Sequence, residues 1–264
     1  MISFNNIKVC FNPGTPMESH ALRGITLRIA EGEFVTVIGS NGAGKSTLLN
    51  ALTGDINLQS GTLDVDGVNI TKWSTARRAS LVARVFQDPM VGTCSDLSIE
   101  ENLALAYRRG QVRGLSKALD ATIREEFRTY IAILKMGLED RLKDPIGLLS
   151  GGQRQTISLL MAVMSPMKIL VLDEHTAALD PKTAHFVIEL TQKIVKERGL
   201  TVLMVTHSMH QALEIGSRTV MLHRGKVVFD VKDKSRAELT VPDLLDLFKR
   251  TSGEDADDDA LVLG

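Results

Sequence analysis

The sequence predicts an α/β fold, with a parallel-sheet core, an antiparallel β layer and an inserted α-helical lobe. Three observations carry that expectation. Gly39 to Thr47 reads GSNGAGKST and fits the phosphate-cradling pattern G-x-x-x-x-G-K-[ST] at every fixed position. Three apolar runs, 34–38, 169–172 and 201–206, each end in polar, chemically useful residues, as buried parallel strands do at a ligand-binding edge. From Ile99 to about Lys135 the strand signal disappears.

Each element has a local cause. Ile2 to Cys10 and Leu22 to Ala30 alternate apolar and polar residues, which predicts two half-buried strands. Between them Asn12-Pro13-Gly14-Thr15-Pro16 is a turn-rich loop, with Phe11 at the junction. Phe34 to Ile38 is a β-branched run bounded by Gly32 and Gly39; Thr47 to Leu52 are good helix formers ending at Gly54. Gly61 to Asp66 predicts another strand turning at Asp66-Gly67, so an antiparallel layer wraps the strand that feeds the phosphate loop.

Leu81 to Phe86 predicts a second buried strand, ending at Gln87-Asp88-Pro89. Ser98-Ile99-Glu100-Glu101 is a capping-box sequence opening a helix through Tyr107. Lys117 to Leu134 places Leu119, Ile123, Phe127 and Ile131 at intervals of four, with Gly110 and Gly114 breaking the helices. Ser150 caps a helix through Met164 that Pro166 stops; Ile169 to Leu172 is an apolar strand running into Asp173-Glu174. Pro181 starts a helix to Arg198, closed by Gly199, with Val187, Leu190 and Ile194 inside. Thr201 to Thr206 is a strand ending at His207, followed by a short helix from Met209 to Ile215. A hairpin turns about Arg224-Gly225, and Val241 to Lys249 forms a last amphipathic helix. The shared carboxyl edge of a parallel sheet then gathers Gly39 to Lys45, Asp173-Glu174 and His207.

Composition bounds the function. The chain has 264 residues, 44% hydrophobic and 24% charged, which is ordinary for a globular protein. Net charge is −1, so bulk electrostatics do not invite nucleic acid. Glu254, Asp255, Asp257, Asp258 and Asp259 make an acidic, solvated tail at 251–264; without them 31 basic residues face 27 acidic ones, a balance of +4. No apolar run is long enough to cross a bilayer, and MISFNNIKVC lacks an export signal. Cys10 and Cys94, far apart, suggest a reducing compartment, so the expected location is cytoplasmic.

The residue types predict the chemistry. Glycines at 39, 42 and 44, with Ser40, Asn41 and Ala43 between them, let consecutive N–H groups converge on one anion beside a helix N-terminus. Lys45 reaches the β/γ-phosphates, Ser46 offers a hydroxyl to Mg²⁺, and Thr47 meets the α-phosphate. Asp173 has the strand-end position of a Mg²⁺-holding carboxylate, and Glu174 that of a group activating water; the alternative is that both cap a helix. Ser150-Gly151-Gly152-Gln153 is a second helix start able to hold an anion, or a plain cap.

Taken together, the phosphate loop, Leu149-Ser150-Gly151-Gly152-Gln153, Asp173-Glu174 and His207 resemble the signature of ATP-binding-cassette (ABC) ATPases over nearly the whole chain to about Lys249. The resemblance implies a P-loop NTPase with a RecA-like core and β subdomain at 1–90 and 165–235, a helical subdomain at about 91–164, and a C-terminal helix at 241–249. It implies ATP and Mg²⁺, the metal held by Ser46, Gln87 and Asp173. It also implies a head-to-tail homodimer, in which Ser150, Gly151, Gly152 and Gln153 of one copy close over the γ-phosphate held by Gly39 to Ser46 of the other. Gln87 resembles the residue that senses metal and water, Asp180 the loop crossing between subunits, His207 the switch histidine and Phe11 the adenine-stacking aromatic. The spacing from Phe11 to Lys45 is lengthened by the loop from Asn12 to His20.

Two departures stand out. His175 occupies the place of the family's usual proline after the glutamate, and Thr156 to Ala162 replaces a basic, small-residue run. With Arg84 to Pro89 and Asp173 to Asp180, these resemble a bacterial subgroup thought to drive uptake of small solutes such as tryptophan or tyrosine. The implied protein is the ATP-hydrolysing subunit of an importer. It would lie peripherally on the inner membrane face and work with separate permease subunits and, indirectly, a solute-binding protein. The alternative is a soluble ATPase such as an iron–sulfur assembly scaffold. Only 62 residues separate Gln87 from Ser150, which excludes a long coiled-coil insertion.

Overall fold

The computed structural model describes residues 1–111 and 118–252. The expected helix break at Gly114, the helix start at Lys117 and the acidic residues 254–259 lie outside the described residues. The chain forms two compact units, Met1–Arg78 together with the chain from Arg198 onward, and Ala79–Glu197.

In the first unit, β1 (Ile2–Phe11), β2 (Ser19–Ile29), β3 (Phe34–Ile38), α1 (Lys45–Thr53), β4 (Ser60–Val65), β5 (Val68–Asn69) and α2 (Thr75–Arg78) follow in order. β1 lies between β2 and β4, all antiparallel, with β5 beyond β4. Simple alternation does not describe β1. Phe4 and Ile7 are both fully buried although they stand three positions apart, an odd offset that plain alternation would put on opposite faces. A bulge between them, with Asn6 at φ 50°, resets which face points inward, so Ile7 and Val9 join Ile2 and Phe4 in the core.

The second unit holds β6 (Val82–Val85), α3 (Ile99–Tyr107), α4 (Ala121–Ala132), a 3₁₀ turn (Ile146–Leu148), α5 (Gly151–Met164), β7 (Ile169–Asp173) and α6 (Pro181–Arg198). The expected capping box on α3 is present: Ser98 Oγ accepts from Glu101 N–H, and Glu101 Oε2 accepts from Ser98 N–H at 2.8 Å. α4 is capped by Asp120, which accepts from Ile123 N–H at 2.9 Å. Of the four apolar residues spaced along that stretch only Phe127 and Ile131 are buried; Leu119 and Ile123 stay half-exposed.

The chain returns to the first unit with β8 (Thr201–Val205), α7 (Met209–Glu214), β9 (Arg218–His223), β10 (Lys226–Lys232), α8 (Asp233–Ala237) and α9 (Val241–Ser252). β3 lies between β8 and β9, parallel to both, and β10 runs antiparallel beside β9. Leu244 and Phe248 of α9 are buried against Ile38, Met209, Ala212 and Met221, and the helix runs past the expected end at Lys249.

Two arginines that no local pattern announces, Arg78 buried and Arg236 half-buried, close helix ends. Arg78, 2% exposed, donates to Ala51 O (2.6 Å) and Leu52 O (3.0 Å) in the last turn of α1, and to Thr71 O and Trp73 O. Arg236 does the same for α7, donating to Ala212 O, Leu213 O and Ile215 O. Each satisfies carbonyls that a helix leaves without intrahelical partners. Arg78→Met should therefore cost roughly 2–4 kcal/mol in urea unfolding, because it strands several buried acceptors. A loss below about 0.5 kcal/mol would show that water replaces the guanidinium at no cost.

Candidate active site

The phosphate loop begins where β3 ends. Its first helical residue, Lys45, is 6% exposed and folds back so that Nζ donates to Gly39 O (2.7 Å) and Ser40 O (3.1 Å). Gly44 sits at φ 103°, and a Cβ there would stand 2.7 Å from Ala21 O, so backbone conformation and crowding both demand glycine. With Gly44 as N-cap, α1 has no side-chain acceptor for its first-turn N–H groups. Those donors and the helix dipole make an anion seat. Asn41, Gly42 and Ser46 are exposed beside it, and Thr47 is half-buried.

His207 follows β8, the parallel neighbour of β3, with Val37 paired to Val205 and Thr206 N–H donating to Val37 O at 3.2 Å. That register brings His207 to the same strand edge as Gly39. Ser208 caps α7 and itself donates to Thr206 Oγ1, which fixes the backbone around the histidine. Phe11 closes β1 and is 40% exposed, so it is a surface aromatic and not part of the core.

In the second unit β6 and β7 are parallel, with Val85 paired to Leu172. Gln87, just past β6, and Asp173-Glu174, at the end of β7, therefore share an edge. Arg84 Nη2 donates to Asp173 Oδ2 at 2.5 Å, and its guanidinium stacks 4.6 Å from the Phe86 ring centre. Sequence reasoning gave Arg84 no role. Its signal was a lone charge inside an apolar strand, which needs a buried partner. Gln155 of α5 ties the second unit's helices to this edge, donating to Phe86 O at 3.0 Å.

Glu174 holds φ 45°, a left-handed conformation that costs a non-glycine residue about 1 kcal/mol or more and concentrates at functional sites. Its carbonyl accepts from Ala177 N–H at 3.0 Å, closing the turn that leads to α6. Asp180 caps α6 through Thr183 N–H at 3.1 Å, and these hydrogen bonds to Thr183 hold its carboxyl below the usual range.

Ser150 caps α5 in a complete capping box: its Oγ accepts from Gln153 N–H, and Gln153 Oε1 accepts from Ser150 N–H at 3.2 Å. The helix start is thus less bare than its glycines suggest, since one first-turn donor serves the cap. Gly152 has another reason to be glycine: a Cβ would meet Thr183 Cγ2 at 2.7 Å, so α5 and the start of α6 pack closely there.

The first unit thus carries an uncapped helix start and a histidine on one strand edge, and the second an Asp-Glu pair, a glutamine and a serine-capped helix start. An ABC transporter family model matches residues 22–177. The chain belongs to the ABC transporter family. It is 45% identical over 251 residues to a tyrosine transport ATP-binding protein of Clostridioides difficile (strain R20291), covering 94% of this chain and 99% of that one. It is 33% identical to methionine import ATP-binding protein MetN 2 of Bacillus cereus (strain ZK / E33L), covering 91% and 70%. Among solved structures it matches the ABC cassette MJ0796, a dimer in a post-hydrolysis state bound to ADP and Pi. That match has TM-score 0.76 and 28% identity, and covers 88% of this chain and 98% of the other.

His175, where the ABC family usually has proline, is a core residue, 2% exposed. Thr191 Oγ1 donates to Val187 O at 2.7 Å and lies 3.4 Å from His175 Nε2, which makes Nε2 the protonated nitrogen of a neutral ring. Burial pushes its pKa from 6.5 down to about 4. The folded chain then keeps the ring neutral while the unfolded chain binds a proton, so stability is full above pH 6.5 and lost as pH falls towards 4. Between pH 7 and 5 the wild type should lose about 2 kcal/mol more than His175→Leu in urea titrations. Parallel pH profiles for the two proteins would contradict the neutral buried ring.

Proposed function

We infer that this ABC protein is the ATP-hydrolysing subunit that energises import of a small solute through separate permease subunits. The arrangement that carries the reading is the pairing of polar strand ends, Gly39 to Lys45 with His207 and Gln87 with Asp173-Glu174. Relatives named for tyrosine and methionine transport support an importer and do not favour an iron–sulfur assembly scaffold. Tyrosine, an aromatic amino acid, is the first solute to try.

In this reading Lys45 and the first-turn amides of α1 hold the β- and γ-phosphates, and Phe11 stacks on adenine. Glu174 orients and deprotonates the attacking water, and His207 contacts the γ-phosphate. The hydroxyl of Ser46, the side-chain oxygen of Gln87 and the carboxylate of Asp173 are hard oxygen donors that fit Mg²⁺, which would neutralise phosphate charge when bound. Two copies pair head to tail. Ser150 to Gln153 of one completes the pocket of the other, and Asp180 lies where the chains cross.

We assign the functional core to 1–90 and 165–235 and the permease-facing lobe to about 91–164. Met90 and Val91, just after Gln87, are 57% and 64% exposed, an apolar surface suited to a membrane partner. No helix among the described residues is long and apolar enough to cross a membrane, and we place the subunit peripherally on the cytoplasmic face, beneath its permease.

Glu174→Gln should reduce turnover by roughly 10²–10⁴-fold yet leave ATP-bound dimers that elute early in size-exclusion chromatography. Retained ATPase activity would remove Glu174 from the mechanism. Lys45→Ala should instead weaken nucleotide binding itself, by about tenfold to a hundredfold in equilibrium titration.

A further inference from the structure

The β1–β2 hairpin carries a donor cluster that ATP hydrolysis does not use. Cys10 and His20 are directly paired across the two strands, and Glu18 stands two residues before His20. One ligand atom from each of Cys10, Glu18 and His20 lies within 4.8 Å of the others, and His20 Nε2 is 2.9 Å from Glu18 Oε1. The second Glu18 oxygen accepts from Gly14 N–H at 2.6 Å, so the loop between the strands fixes the carboxylate. That loop is itself tied down: Glu18 N–H donates to Thr15 O, and Thr15 Oγ1 donates to Asn12 O at 2.8 Å.

We propose that Cys10, Glu18 and His20 form a Zn²⁺ site with an open fourth position. Sulfur, imidazole and carboxylate from three residues are the donor types that Zn²⁺ takes, and the thiolate selects against Mg²⁺ and Ca²⁺. Bonds of about 2.0–2.3 Å to a tetrahedral ion put ligand atoms roughly 3.3–3.8 Å apart. The cluster closes to that spacing by small side-chain rotations, which the exposure of Glu18 and His20 and the half-burial of Cys10 permit. Thiolate and carboxylate together balance the ion's two charges. The fourth ligand is water or a donor from another molecule.

The site has a structural consequence. It would clamp the end of β1 to the start of β2, immediately beside Phe11. Any effect on nucleotide affinity rests on the reading of Phe11 as the adenine contact; the binding of metal does not.

The test uses the reduced full chain without nucleotide, since ATP itself binds Zn²⁺. Co²⁺ is the spectroscopic probe and Zn²⁺ the competitor. One equivalent of Co²⁺ should give a thiolate charge-transfer band that Zn²⁺ displaces, with Zn²⁺ binding at micromolar or tighter concentration. Cys10→Ser should abolish the band, and His20→Ala should weaken Zn²⁺ by at least about a hundredfold. Cys94→Ser, which removes the other free thiol, should change neither. Metal-free thermal midpoints show whether each variant is folded, and metal-free turnover of Cys10→Ser should match wild type. Absence of the band, loss of binding in Cys94→Ser, or binding that survives Cys10→Ser would overturn the proposal and leave an ordinary surface ion pair.

Discussion

Parallel pairing of short, largely buried strands is the constraint on which the functional groups depend. β3 with β8, and β6 with β7, are apolar along nearly their whole length, so packing holds them in one register. Because each pair runs the same way, the residues that follow the strands emerge together. Gly39 and His207 are 168 positions apart in sequence and leave one edge; Gln87 and Asp173 do likewise. The rigid strands supply placement, and the polar loops after them supply chemistry.

Much of this was legible because it rests on local rules. A loop that must curl around a phosphate needs glycine at fixed positions, and Gly44 shows why: left-handed backbone and a carbonyl 2.7 Å from the missing Cβ. Capping at Ser98 and Ser150 is equally local, since donor and acceptor lie three residues apart. What escaped was long-range. Arg78 reaches back 27 residues to Ala51, Arg84 spans 89 to Asp173, and Gly152 is fixed by a methyl group on Thr183. The bulge at Asn6 reverses strand parity without leaving a hydrophobic signature. The four-residue α2 is too short for any period to show.

One of the chain's two departures from its family, His175, lies in the turn after β7. Glu174 is left-handed, and the residue after it is a buried neutral imidazole seated by Thr191 of α6. A proline there would set its own backbone angle. The histidine instead anchors through its side chain, and burial with few partners exacts a stability penalty in acid. The same turn continues into the Asp180 cap, so the carboxylate read as catalytic and the loop read as crossing between subunits are held by one short, hydrogen-bonded segment.

Hydrolysis on this reading belongs to a pair of chains, each contributing a phosphate loop to one pocket and a Ser150 helix start to the other. The dependence of specific ATPase activity on protein concentration tests that most directly, with the wild-type chain free of its permease at saturating ATP. Activity per molecule should fall steeply on dilution and rise to a plateau as dimers fill, and the Ser150 helix start should be needed in trans. Specific activity that stays constant down to concentrations where light scattering finds only monomers would contradict it.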